Sequence, residues 1–205
     1  MEKNRDVKSM LKDAGILFAI TLIAGLLLGF VYELTKEPIR VQQELAVQRA
    51  CQAVFAEADS FEALIYIPTE DMTEQLEGMG VEIGTIFEAR DASGNALGYV
   101  VEATSTEGYG GAITLYAGIT NHGRLNGISI LSIAETPGLG MNAEAVLVPQ
   151  FENVEATFFY YSKSGSREPD AIDAISGATI TTEAIVNAVN GAIFVVTEDL
   201  MKGGN

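Results

Sequence analysis

An α+β domain, an antiparallel sheet with helices packed on it, preceded by one N-terminal transmembrane helix, is the architecture this sequence predicts. Three observations predict it. A charge-free run near the N-terminus is long enough to cross a bilayer, two successive segment pairs alternate apolar and polar residues around Gly/Asn turns, and helical periodicity flanks those pairs on both sides. A chain of 205 residues holds one ordinary domain and a short appendage. The division expected is a cytoplasmic tail (1–13), a transmembrane helix (14–34) and an extracytoplasmic domain (35–205).

The run AGILFAITLIAGLLLGFVY, residues 14–32, carries no charge. At about 1.5 Å per residue it spans a hydrocarbon core. Tyr32 suits the interface, and Lys3, Arg5, Lys8 and Lys12 put the preceding tail in the cytoplasm, although Lys36, Arg40 and Arg49 follow on the other side. An uncleaved anchor is favoured over a removed signal peptide: the run exceeds the usual h-region, and the exit VYELTKEPI offers no A-x-A-like site.

Beyond the anchor, Pro38 precedes apolar residues at Val47, Cys51, Val54, Phe55 and Ala58, whose steps predict an amphipathic helix. The stretch FEALIYIPTEDMTEQLEGMG, broken by Pro68 and closed by Gly78 and Gly80, reads as a connecting region. Alternation then predicts four strands: TIFEARD and LGYVVEATS around ASGNA, AITLYAGI and LNGISILSI around TNHGR. They form an antiparallel meander, with helices clustered on one face. SKSGSREPD is a polar loop, and TTEAIVNAVNGAIFVVTEDLM is a helix whose Ile185, Ala188, Val189 and Ala192 share a face. Its short apolar core and its Asn187 and Asn190 make it a core helix and not a second span.

Composition excludes several functions. A net charge of −16 repels phosphate backbones, so no nucleic-acid partner is expected. Cys51 is the one cysteine, which rules out an internal disulfide, a CxxC pair and cysteine-rich metal sites; a buried, unreactive thiol is the expectation. The one histidine, His122, sits in the turn Asn121-His122-Gly123 and no GxSxG elbow occurs, so hydrolase chemistry has little support. No carboxylate pair stands out for glycosidase chemistry, and no metal-ligating set is marked. PGLGMNA, with Gly138, Gly140 and Ala143, mimics the dinucleotide fingerprint, but its antiparallel setting denies it the βαβ crossover that motif needs.

What remains is AISGATITTEA, with Ser176, Thr179, Thr181 and Thr182 gathered around Gly177. A structural reading has Thr181 or Thr182 capping a helix that begins near Glu183, with Ser176-Gly177 as the turn into it. The same helix N-terminus can hold a phosphorylated cofactor through its free N–H groups. Two glycine loops, GYGGA at residues 108–112 and PGLG at residues 137–140, let backbone approach a flat ligand.

These residues resemble the FMN-binding domain family. Asp173, Ser176, Gly177, Ala178 and Thr179 match its D-x-x-[ST]-G-A-T flavinylation signature, the run 135–140 (ETPGLG) its second hallmark, and the run 108–111 (GYGG) its third, in the family's order. With its anchor and length the whole chain resembles the G subunits of Rnf ion-translocating ferredoxin:NAD+ oxidoreductase complexes; C subunits of the sodium-translocating NADH:quinone reductase share the signatures but are typically longer. The resemblance implies an electron carrier at the cell membrane with FMN joined through its phosphate to Thr179. It also implies that Asp173, Ser176, Gly177 and Ala178 form the segment a flavin transferase recognises, that Glu135, Thr136, Gly138 and Leu139 approach the flavin, and that the partners are the complex's other membrane subunits. A membrane-anchored sensor whose SGAT only caps a helix and a free-standing flavoenzyme are the alternatives.

Overall fold

The computed structural model describes residues 2–155, 157–166 and 168–202, the side chains of residues 2–9 excepted, so the side chains of Lys3, Arg5 and Lys8 in the basic tail lie outside the described part. Two compact units divide the chain, Met1–Leu45 and Ala46–Asn205.

The first unit is helical. It belongs to helix α1, Glu2–Val54, whose apolar window is long enough to cross a membrane and has none of its residues buried. The sequence predicts a fresh helix after Pro38, whereas Pro38 lies inside α1. A proline there removes one main-chain hydrogen bond. Local contacts brace the turns around it: Arg40 pairs with Glu37 and Glu44 at 2.9 and 2.8 Å, and the Thr35 hydroxyl donates to the Val31 carbonyl at 2.9 Å.

The second unit is built on a five-stranded sheet in the order β1-β2-β3-β4-β5, every neighbouring pair antiparallel. The strands are β1 Ser60–Leu64, β2 Val81–Arg90, β3 Ala96–Ser105, β4 Ile113–Thr120 and β5 Leu125–Ser132. Both expected hairpins form. In the first turn the Asp91 carboxylate accepts N–H bonds from Ser93 and Asn95, each 2.8 Å, and hydrogen bonding from Asn95 holds that carboxyl below its usual range. In the second, Gly123 donates to the Thr120 carbonyl at 2.9 Å, and the exposed His122 sits in the bend as expected.

The connecting region contains two elements that the sequence pattern does not announce. β1 adds to the edge of the sheet, but its residues show no in/out alternation, so no period of two marks it. Helix α2, Glu70–Gly78, is capped by Thr69, whose hydroxyl accepts the Met72 N–H at 3.3 Å, and it buries only Met72 and Leu76. Past β5, a 3-10 turn Gly140–Asn142, helix α3 (Ala143–Val146) and a second 3-10 turn Val148–Phe151 lead to a short parallel pair, β6 Tyr160–Ser162 and β7 Ala171–Asp173.

Helices cover both faces of the sheet, not one. Ile86, Val101, Leu115, Ala117 and Ile119 pack on the last long helix, α4, Thr179–Val195. Ala89, Val100 and Tyr116 point the other way and pack with Ala50, Cys51, Val54 and Phe55. Because β3 and β4 are buried on both faces, consecutive residues such as Val100 and Val101 are both inaccessible, which blurs the expected alternation. Cys51 is 1% exposed and burial pushes its thiol up to about 11, as its apolar setting predicts.

α4 is a core helix, as its asparagines imply. The Asn190 side chain accepts the Phe159 N–H at 2.7 Å and donates to the Phe159 carbonyl at 2.8 Å, so one buried amide completes a backbone that lacks a strand partner there.

Candidate cofactor site

Three loops meet near the end of the sheet where β3 and β5 terminate. The first leaves β3. Gly110 lies so close to the Ala134 carbonyl that a Cβ would sit 2.0 Å from that oxygen, and its N–H donates to the Glu135 carboxylate at 3.2 Å. Only glycine fits so near another backbone.

The second loop leaves β5. Pro137 and Gly138 occupy the two central positions of a turn closed by the Leu139 N–H on the Thr136 carbonyl at 3.1 Å. Gly138 has φ +78°, the left-handed value that the third position of a type II turn requires. The Asn142 amide donates to the Gly138 carbonyl at 2.9 Å, and the chain continues into α3 without any βαβ crossover. The resemblance of this run to a dinucleotide fingerprint ends there.

The third loop leaves β7 and enters α4. The Ala178 N–H donates to the Ile175 carbonyl at 3.0 Å, closing a turn across Ser176 and Gly177. α4 starts at Thr179, four residues before the expected position, and its N-cap is Ala178, which supplies no capping side chain. Neither Thr181 nor Thr182 caps the helix. Thr182 lies inside it and straps the loop instead: its hydroxyl donates to the Ala178 carbonyl at 3.0 Å and accepts the Ile175 N–H at 3.2 Å. Thr181 is buried against Gly140, where a Cβ would come within 2.7 Å of the threonine hydroxyl. With no side-chain cap, the first N–H groups of α4 keep their hydrogen-bonding capacity for another acceptor.

The loops enclose a cavity of about 500 Å³. Its lining takes Tyr109 from the first, Glu135, Thr136, Leu139 and Gly140 from the second, and Gly177, Ala178, Thr179, Ile180 and Thr181 from the third. Glu135 is a buried carboxylate, 7% exposed, whereas Tyr109 and Ile180 are 71% and 51% exposed at the rim. Half-buried Thr179 stands at the first position of the helix.

Of the residues singled out from the sequence, Thr179, Gly177, Ala178, Glu135, Thr136 and Leu139 therefore line one space. Ser176, Asp173 and Gly138 do not. Ser176 and Gly138 are exposed in their turns. Asp173 ends β7, where its backbone exchanges hydrogen bonds of 2.7 and 3.2 Å with the Gln150 side chain and its carboxylate accepts the Ser166 N–H at 3.3 Å. Tyr109, Gly140 and Ile180 are lining residues not named for the flavin; the first two lie inside the glycine runs already noted, and Ile180 follows from a helix that begins at Thr179, while Thr181 was named only as a member of the hydroxyl cluster and a candidate cap. Two other cavities, of about 440 and 400 Å³, contain none of the signature residues.

A family model described as an FMN-binding domain matches residues 108–193, a span that encloses all three loops, and one described as the RnfG N-terminal region matches residues 1–54. The G subunit of the Na(+)-translocating ferredoxin:NAD(+) oxidoreductase complex of Acetobacterium woodii is 33% identical over 200 residues, 92% of each chain. The G subunit of the proton-translocating ferredoxin:NAD(+) oxidoreductase complex of Clostridium ljungdahlii is 32% identical over 195 residues, covering 91% of this chain and 95% of that one. Among solved structures, NqrC of Shewanella oneidensis aligns over 74% of each chain with a TM-score of 0.49 and 18% identity.

Proposed function

Because the chain belongs to the G subunits of ion-translocating ferredoxin:NAD(+) oxidoreductase complexes and carries an FMN-binding domain, we propose that it is an electron-transfer subunit holding FMN covalently, through the phosphate, on Thr179. One observation carries the reading: loops separated by up to about seventy positions line a single cavity with Thr179 at the uncapped start of α4.

The residues present suit the group. A cavity of about 500 Å³ is within the range of small-molecule sites. The first N–H groups of α4 and the positive end of its dipole favour a phosphate beside the Thr179 hydroxyl. Tyr109, Leu139 and Ile180 offer apolar surface for a flat ring, and Gly140 and Thr136 bring main chain close to it. The Glu135 carboxyl group, which accepts the Gly110 N–H, lines one wall. When bound, the flavin supplies reversible uptake and release of electrons; the protein places and tunes it. Of the segment assigned to the flavin transferase, Asp173, Ser176 and Gly177 are exposed and open to it, whereas Ala178 is buried.

The domain boundaries proposed are a cytoplasmic tail (1–13), a span (14–34) and an extracytoplasmic domain (35–205) that faces the other membrane subunits. A covalent tether keeps the cofactor at a fixed local concentration on that side, where a dissociable one is diluted away. The test is mass spectrometry of the chain matured with and without the transferase. An adduct of one FMN less water on the Thr179 peptide is expected, and Thr179→Ala removes the fluorescent band in denaturing gels. A colourless, unmodified Thr179 in chain isolated from its complete native complex refutes the reading. Protease access to the domain from the outer side of oriented vesicles checks the orientation.

A further inference from the structure

Ile65 and Ile67 are 97% and 82% exposed, more than any described large hydrophobic residue of the membrane-length helix, where Leu28 reaches 72%. They do not belong to a floppy tip. Between them Tyr66 turns inward, packs on the main core and donates its hydroxyl to Asp199 at 3.0 Å. Behind them Pro68 fixes the backbone and Thr69 caps α2. The result is two isoleucines held outward on a braced loop, where a soluble surface places polar groups.

Two further features surround them. β1, which runs directly into the loop, is an edge strand, and no described strand pairs on its outer side. An open edge offers unpaired N–H and C=O groups, which another polypeptide can satisfy and hydrocarbon cannot. Between residues 60 and 80 the chain also carries five acids (Glu62, Glu70, Asp71, Glu74 and Glu77) and no Lys or Arg. All five are exposed, and although Glu62 pairs with Arg90 at 3.2 Å, the other four make no ion pair among the described residues, so the isoleucines adjoin an acidic stretch that repels anionic lipid headgroups and attracts a basic surface.

We propose that the Ile65-Tyr66-Ile67 loop and the open edge of β1 dock another protein subunit of the complex, through an apolar socket rimmed by Lys and Arg. The proposal rests on membership in a multi-subunit complex and not on how the flavin is held. Apolar anchors of this kind carry most of the binding energy at an interface, and the acidic rim sets orientation and partner choice.

The full chain is tested in its native complex. Ile65→Ser/Ile67→Ser should lower its retention in the detergent-purified complex by about tenfold or more, with flavin content per chain unchanged; Ile65→Val/Ile67→Val should retain it. A smaller loss in the Ser variant overturns the proposal. A photo-cross-linking residue at position 65 of the otherwise native chain should capture a subunit of the same complex at a site flanked by Lys or Arg. A lipid adduct, or no adduct, overturns it. The chain has no tryptophan, so Ile67→Trp is a unique reporter. In nanodiscs of brominated phosphatidylcholine its fluorescence should be unquenched, and quenching assigns the loop to the bilayer instead. Thr179→Ala should leave retention unchanged, which separates this outcome from any result on flavin attachment.

Discussion

Two helices among the described residues are long and apolar enough to cross a bilayer, and they meet opposite fates. The apolar window of α1 has no buried residue, whereas 72% of the comparable window in α4 and the helical turn Val196–Leu200 that continues it is covered by protein. The difference lies in what each sequence leaves for polar partners. From residue 14 to residue 31 the one polar side chain of α1, Thr21, is satisfied within the helix itself, its hydroxyl donating to the Leu17 carbonyl at 3.0 Å. α4 instead spends Asn190 on the backbone of Phe159 and uses Ala184, Ala188 and Ala192 to lie close against the sheet. Hydropathy alone does not separate a span from a core helix; a buried amide with a tertiary partner does.

The largest effect that tests the contrast is in α1. Leu22→Arg/Leu26→Arg puts two charges at the centre of the span, at a cost of about 5–7 kcal/mol on insertion scales. The chain should move from the membrane pellet to the alkaline-extractable fraction, and continued integration contradicts the assignment. Next is Asn190→Ala, which leaves a buried N–H and a buried carbonyl of Phe159 unpaired, at about 2–4 kcal/mol. Thermal melting of the domain should fall accordingly, while membrane attachment stays intact. If melting is unaffected, the amide does not distinguish the two helices.

A smaller effect is expected at the start of α4. Thr182→Val removes the strap to Ala178 and Ile175 while keeping the shape, for about 1–2 kcal/mol. Beyond stability, the loop before Thr179 should loosen, so the yield of flavin-modified chain should fall while Ile180→Leu, at the exposed rim, leaves it unchanged. Equal yields in both variants show that the strap does not position the loop.

Legibility followed the period of burial. The two hairpins could be read because parts of β2 to β5 alternate apolar and polar residues and Gly or Asn mark the turns, and the anchor because nineteen charge-free residues have few other uses. β1 and α2 escaped for a physical reason: the first is an edge strand with little buried surface, and the second commits only Met72 and Leu76 to the core. The second helical layer was hidden because Val100 and Val101 are both inaccessible, so neither face announces itself. At the site, composition located the hydroxyl cluster but not its geometry. Four hydroxyls in seven positions do not reveal that the helix starts at Thr179 or that Thr182 is a strap, since both follow from the turn at Ser176 and Gly177. That Glu135 faces the same cavity as Thr179 is a tertiary fact, and only the family resemblance joined the two in advance.

The smallest effect sharpens the comparison inside α1 itself. Val41 is 44% exposed, whereas Cys51, ten residues further along the same helix, is 1% exposed. Burial pushes the Cys51 thiol up to about 11, so at pH 8 it is both inaccessible and protonated. A thiol reagent should label a cysteine placed at Val41 in the Cys51→Ala chain at least roughly a hundredfold faster than it labels native Cys51. The sign of the pH effect follows from the same burial. The neutral thiol is the form the fold accepts, and an unfolded chain releases the proton first, near its ordinary value of 9.0. This contribution to stability is thus complete below pH 9 and lost as pH rises toward 11, and Cys51→Ala should flatten the alkaline limb of the stability curve. An unchanged alkaline limb means that the thiol is already ionisable in the folded protein, and that the C-terminal turns of α1 are not sealed against the sheet.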